Sequence, residues 1–192
     1  MAIYYFTDEV SMGFSHCGEV MADLEGQIEL TDEEAAQLVA LMQETKSSDV
    51  EKMGLKRRYP DLYERLEEAW YDAAYTAELA HWHREGFLDG YCEFDLDEVM
   101  AHCEAHCGYT FTYDPEEHPL SDPDDEEQLE ELRREHFEAW LEEYVTTLSN
   151  EEVIEFCSEQ LNSEVEDVTD PEGVEYEVAI PYELIRRAGL SK

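Results

Sequence analysis

Apolar positions alternate in short runs at the start of the chain and recur with a 3.6-residue period over most of the rest. Ile3 to Phe6 predicts a strand, and Glu19 to Leu30 alternates roughly and predicts a second, bent or bulged at Gly26. Ser11 to Gly18, with Gly13 and Gly18, reads as a loop. Thr31-Asp32-Glu33-Glu34 spells a capping box, in which the Thr31 hydroxyl takes the Glu34 N–H and the Glu34 carboxylate reaches back. The helix it opens runs to about Thr45, with Ala35, Leu38, Val39 and Met42 on one side. Lys46 to Tyr59 reads as a connector with about one helical turn. Pro60 suits the first turn of a long helix from Asp61 to about Glu85, stopped at Gly86. Its stripe of Leu62, Leu66, Ala69, Ala73, Ala77 and Ala80 is small-sided and predicts close packing against another element.

Further on, Asp95 or Asp97 caps a helix to Cys107, ended by Gly108. Tyr109 to Tyr113 alternates aromatic residues with Thr and predicts a strand. Asp114 to Asp125 is rich in Pro and acid and predicts a linker. A helix from Glu126 to about Leu148 and another from Ser149 or Asn150 to about Leu161 follow. Pro171-Glu172-Gly173 reads as a turn, Val174 to Ile180 as a strand, and Pro181 starts a short helix to Ala188. The expected fold class is α+β, dominated by five or six helices, with a small, mainly antiparallel sheet of three to four strands. The expected organisation is an N-terminal α+β part over 1–113, the linker 114–125, and a helical acidic part with a C-terminal strand over 126–192, all in one compact unit.

Charge changes this picture most. The 192 residues carry 51 Asp and Glu against 12 Lys and Arg, a formal net charge of −39. Residues 61–183 hold 39 of the acids and only four bases, Arg65, Arg84, Arg133 and Arg134, a net of −35. Five of the remaining bases cluster in one island, Lys46, Lys52, Lys56, Arg57 and Arg58. Such a balance excludes a basic footprint for direct nucleic-acid binding, and an anionic membrane surface repels it. Because 43% of the residues are hydrophobic and 11% aromatic, the chain still has the material for a core. Glu exceeds Asp by 36 to 15, which argues against a high-salt adaptation as the source of the charge. Solubility alone asks for a net charge of only about 2 to 8. For the basic island, the simple expectation is pairing with nearby acids such as Glu64 and Glu68.

The helix after the linker is the most informative segment. Leu129, Leu132, His136, Trp140, Tyr144 and Leu148 form an apolar stripe, widened by Phe137 and Leu141. Glu127, Glu131, Glu135, Glu138 and Glu142 follow at spacings of 4, 4, 3 and 4, centred on almost the opposite side. The row is roughly 22 Å long at 1.5 Å per residue. About six phosphates of one DNA strand, spaced about 3.4 Å apart, cover the same length. An ordinary exposed Glu-rich helix gives a similar row, since Glu is a good helix former. In charge character the chain resembles the small acidic DNA-mimic proteins of phages and mobile elements, of the anti-restriction and anti-CRISPR type. The row, the cluster Asp122, Asp124, Asp125, Glu126 and Glu127, and the acids of 151–177 carry the resemblance. It implies a stoichiometric inhibitor whose carboxylates occupy the basic groove of a nuclease or other DNA-binding protein, where Arg and Lys pair with them as with phosphates.

A second feature is Ala101-His102-Cys103-Glu104-Ala105-His106-Cys107. His102 and His106 share one helical face, and Cys103 and Cys107 an adjacent one. Zinc is the cofactor such a set takes, with Cys92, His16 or Cys17 completing four ligands; two buried thiols beside two half-exposed imidazoles is the plainer reading. Five cysteines without framework spacing, no secretory signal and no apolar run of membrane-spanning length point to a cytoplasmic protein with free thiols. Signatures of hydrolases, P-loops, dinucleotide folds and zincins are absent, so the expectation is a non-enzyme. Two further readings remain open, an acidic binding module or chaperone for basic proteins and a small zinc protein.

Overall fold

The computed structural model describes residues 1–15, 18–116, 118, 125–165 and 178–190. The fold is α+β and helix-dominated, as the sequence predicts. Among the described residues it has eight helices and one two-stranded antiparallel sheet. Contacts group the chain into two compact units, Met1–His81 with Asp167–Lys192, and Trp82–Glu166. The acidic segment 114–125 therefore lies within the second unit. No described helix is long and apolar enough to cross a membrane.

In the first unit, β1 (Ala2–Ser15) and β2 (Gly18–Leu30) form a long hairpin. The expected loop from Ser11 is largely strand. Alternation continues past Phe6, with Tyr4, Phe6 and Val10 buried opposite Ala22, Leu24, Ile28 and Leu30. Gly26 makes no bulge. It pairs in register with Phe6, and the register shifts only between Ser11 and Phe14. The glycine is needed because the Phe6 ring lies where a Cβ would sit.

The inner face of the hairpin explains the alanine stripe. Phe6, Val10, Ala22 and Leu24 pack on Trp70, Ala73, Ala74 and Ala77 of α4 (Pro60–Leu88). Asp8 also falls on this face, and the Trp70 indole donates to its Oδ2 at 3.1 Å, satisfying a half-buried carboxylate. The helix does not stop at Gly86. It runs on to Leu88, and the chain turns at Gly90, whose φ of 77° glycine adopts without strain. Helix α1 (Asp32–Thr45) begins with the expected capping box, both halves of which form. Tyr4, Ile28 and Leu30 pack with its buried side and with Leu62 and Leu66 of α4. Arg65 donates to the Glu34 carboxylate and to the Glu29 carbonyl, fixing the corner where β2 becomes α1.

The connector forms two single turns, α2 (Val50–Met53) and α3 (Leu55–Arg58), which raises the helix count above that expected. Three members of the basic island have partners among the described residues, and the ion pairs are to Glu44 and Asp49 where Glu64 and Glu68 were expected. Arg58 makes two bonds to Glu44 at 2.8 and 2.9 Å, and Lys52 pairs with Asp49 at 2.6 Å. Lys56 sits 4.7 Å from the centroid of the Tyr63 ring.

Among the described residues, neither of the two further expected strands joins the sheet. Tyr109 to Tyr113 has no ladder partner, because Tyr109 N–H returns to the Cys103 carbonyl at 3.2 Å and closes the preceding helix. Of Val174 to Ile180, residues 174–177 and the turn at 171–173 lie outside the described residues. Val178 to Ile180 forms no regular element, yet Val178 and Ile180 are buried in the first unit's core. Helix α8 (Tyr182–Arg187) follows Pro181, and Arg187 donates to the Tyr4 hydroxyl at 3.2 Å.

Gly26→Ala is expected to lower stability by about 1–3 kcal/mol, since the new methyl group overpacks the Phe6 ring. Urea unfolding checks this, and the double variant Gly26→Ala, Phe6→Leu should recover part of the loss.

Candidate partner-binding face

The second unit is built on α5 (Leu96–His106), α6 (Glu126–Thr147) and α7 (Asn150–Gln160). Each starts on a side-chain cap: Asp95, Asp125, and Ser149 with Glu152 in a capping box. Phe137, Leu141 and Val145 are the buried line of α6. Aromatic rings extend it, with Tyr109 4.9 Å from Phe137 and 5.1 Å from Trp140, Trp140 stacked on Tyr144 at 4.7 Å, and Tyr144 edge-on to Phe156 of α7 at 5.3 Å. The Tyr109 hydroxyl lies 3.3 Å from the Arg133 carbonyl and 3.2 Å from His136 Nδ1. His136, placed on the apolar stripe from its spacing, is exposed.

This moves the centre of the buried side toward Val145. The Glu row is consequently centred roughly a quarter of a turn from it, at 3.6 residues per turn, and does not lie directly opposite. Glu127, Glu131, Glu135, Glu138 and Glu142 are nevertheless all exposed. Among the described residues none of the five is in an ion pair. The two bases on α6 point elsewhere. Arg133 pairs with Glu104 at 2.5 Å and Glu130 at 3.5 Å, and Arg134 with Asp97 at 2.7 Å and Glu130 at 3.9 Å. Both therefore join α6 to α5 and leave the row un-neutralised. Arg84 holds the other end of α6, donating to the Leu148 carbonyl at 2.6 Å and to Asn150 Oδ1 at 3.0 Å.

Asp125 stands apart from the row. Its carboxylate accepts from Gln128 Nε2 at 2.7 Å and from the N–H groups of Glu127 and Gln128, and these bonds, the Gln128 side chain first, hold its pKa below the usual carboxylate value. It caps the helix. Asp122 and Asp124 lie outside the described residues. A second row, not singled out by sequence, lies on α7: Glu151, Glu155 and Glu159 are exposed at i, i+4 spacing, while Val153, Phe156 and Cys157 are buried. The same spacing rule that found the first row would have found it. Within Trp82–Glu166 the sequence holds 27 Asp and Glu against Arg84, Arg133 and Arg134, so this unit alone carries −24.

The Cys/His helix is arranged by burial. Cys103 is fully buried and its pKa is pushed up to about 12, by burial first and then by its neighbour Cys107. Cys107 is half-buried at the C-cap, His102 is half-buried and His106 exposed, their rings 4.9 Å apart. Cys157 is likewise buried and pushed up to about 12. Cys92 is half-buried; His16 and Cys17 lie outside the described residues. Among the described residues no group of three or more His, Cys, Asp or Glu side chains is placed to hold one metal ion.

No protein family matches this chain, and no curated protein or solved structure is significantly similar to it.

His83 Nδ1 and Ser163 Oγ are 2.8 Å apart, both residues are buried, and burial lowers the His83 pKa. The unfolded chain then takes up a proton at a pH where the folded chain resists it, so this contribution is complete above the ordinary histidine value of about 6.5 and is lost as pH falls below it toward the folded pKa. Relative to His83→Gln, the wild type should lose stability between about pH 7 and 5.5; urea midpoints measured across that range check the slope.

Proposed function

We propose that the protein is an acidic DNA mimic that occupies the basic nucleic-acid groove of a nuclease or other DNA-binding protein, such as a restriction or CRISPR effector, and inhibits it by occlusion. The observation that carries this reading is the α6 row: five exposed carboxylates with no ion-pair partner among the described residues, on a unit of charge −24 whose three bases are turned to other elements. Carboxylates placed this way present hydrated charge at spacings that Arg and Lys of a groove can meet with paired hydrogen bonds. Like charges at i, i+4 cost the helix a few tenths of a kcal/mol each, and a basic partner relieves that repulsion on binding. Association is then fast and salt-sensitive. The protein itself touches no nucleic acid and catalyses no reaction in this reading. The breadth of acid over α6 and α7 also suits a second reading, a binding module or chaperone for basic proteins in general.

Capture from a bacterial lysate at moderate salt, with duplex DNA as competitor, separates the two. The mimic reading expects one DNA-binding enzyme, displaced by DNA; the general module expects many partners whose retention follows their isoelectric points. Reversing Glu131, Glu135 and Glu138 to Lys is expected to weaken inhibition by about 100-fold, at about 1 kcal/mol or more per reversed charge, while the helix and fold survive. Undiminished inhibition by the folded triple variant removes the role assigned to the row.

A further inference from the structure

We propose that the outer face of the β1–β2 hairpin is a second interaction surface, one that takes an extended basic segment of a partner protein with Arg or Lys at alternate positions. The inference concerns the first unit alone and does not rest on the α6 row. On a one-sided sheet the solvent face ordinarily reads as polar. Here Ile3 is 54% exposed, Tyr5 66% and Met21 44%, while every inward neighbour from Tyr4 to Val10 and Ala22 to Leu30 is buried or half-buried.

Acids stand among these apolar side chains. Glu29 lies directly across from Ile3, and Gln27 from Tyr5, which puts Glu25 and Glu29 at the two diagonal positions beside the Tyr5 ring, about 7–8 Å away by sheet geometry. Glu9, Asp23, Glu25 and Glu29 are all exposed on this face. No Lys or Arg occurs before Lys46, and among the described residues Glu9, Glu25 and Glu29 are in no ion pair. Among the described bases, Arg65 reaches the end of β2 through the Glu29 carbonyl and the Glu34 carboxylate, and Arg187 reaches the inward Tyr4 hydroxyl.

Charge complementarity selects the occupant. A second copy of this chain would bring like charge to the face, and an apolar partner would strip water from Glu9, Glu25 and Glu29 without pairing them. A guanidinium can do both jobs, lying over the Tyr5 ring while pairing with Glu25 or Glu29. Spacing selects its conformation. Outward residues on β2 recur every second position, about 6.8 Å apart, as do alternate side chains of an extended peptide. An Arg at every second position therefore meets Asp23, Glu25 and Glu29 in turn, with Gln27 between the last two, and its uncharged neighbours are turned away.

The test uses the full chain and a fluorescent twelve-residue peptide alternating Arg and Thr, with a peptide of six Arg followed by six Thr as the equal-charge control. Anisotropy at 150 mM salt gives affinity, and amide chemical shifts locate the peptide. The alternating peptide is expected to bind at least five-fold more tightly than the control and to shift amides of 3–11 and 21–29 most. The double variant Ile3→Thr, Tyr5→Thr leaves the charge unchanged and keeps strand propensity. It should weaken binding at least five-fold, with amide exchange confirming an intact hairpin. Glu131→Lys, Glu135→Lys, Glu138→Lys should leave the hairpin shifts in place, so failure of the α6 reading and failure of this one are told apart. Equal affinity for both peptides, shifts spread over the acidic surface without concentration on the hairpin, or unchanged binding by the double variant overturns the proposal.

Discussion

Fifty-one carboxylates on 192 residues repel one another, and each has to stay in water or find a donor. The helices answer with exposed Glu ridges over lines of Leu, Ala and aromatic side chains. The few carboxylates drawn inward are matched, as Asp8 is by the Trp70 indole. The twelve bases are too few to neutralise the surface, and several of them work as joints. Arg58 ties α3 to α1, Arg65 ties α4 to α1 and β2, Arg133 and Arg134 tie α6 to α5, and Arg187 ties α8 to β1. Arg84 does the same for α4 and the turn between α6 and α7, with neutral acceptors. Guanidinium suits the task because it offers several donors in a fixed fork and stays charged when half-buried.

That distribution also creates the candidate face. A cation at a joint faces another element and so does not screen the solvent side of its own helix. On α6 the result is two Arg paired with Glu104, Asp97 and Glu130, and a carboxylate row that is in no ion pair among the described residues. The α7 row has the same origin. Carboxylates bound into caps, such as Asp125 and Glu152, lose part of their capacity to accept from a partner.

Local signals in the sequence were strong where one residue type decides the outcome. The Thr31 capping box and the start of α8 after Pro181 follow from side chains within three residues of the element, and the structure settles the two caps left as pairs, on Asp95 and on Ser149. The α6 carboxylates were legible because exposure follows helical spacing. What the pattern left open depends on contacts distant in sequence. Alternating aromatics at Tyr109–Tyr113 look like a strand until the α6 ring ladder takes Tyr109. Gly86 looks like a helix stop until the backbone bonds run through it to Gly90. The centre of the α6 buried side moved because Val145, outside the stripe read from the spacing, is buried while His136 is exposed.

The pairing of Phe6 with Gly26 has a consequence for the hairpin as a whole. Two strands of this length, each alternating cleanly, have several alignments that keep apolar side chains on one face, and a slide of two residues is the cheapest error available to them. At every such shifted alignment the Phe6 ring meets a residue with a side chain, Leu24 or Ile28, in place of the one position without a Cβ. One absent atom thus acts as an alignment key for 27 strand residues, and with it fixes which side chains stand together on the face turned to water.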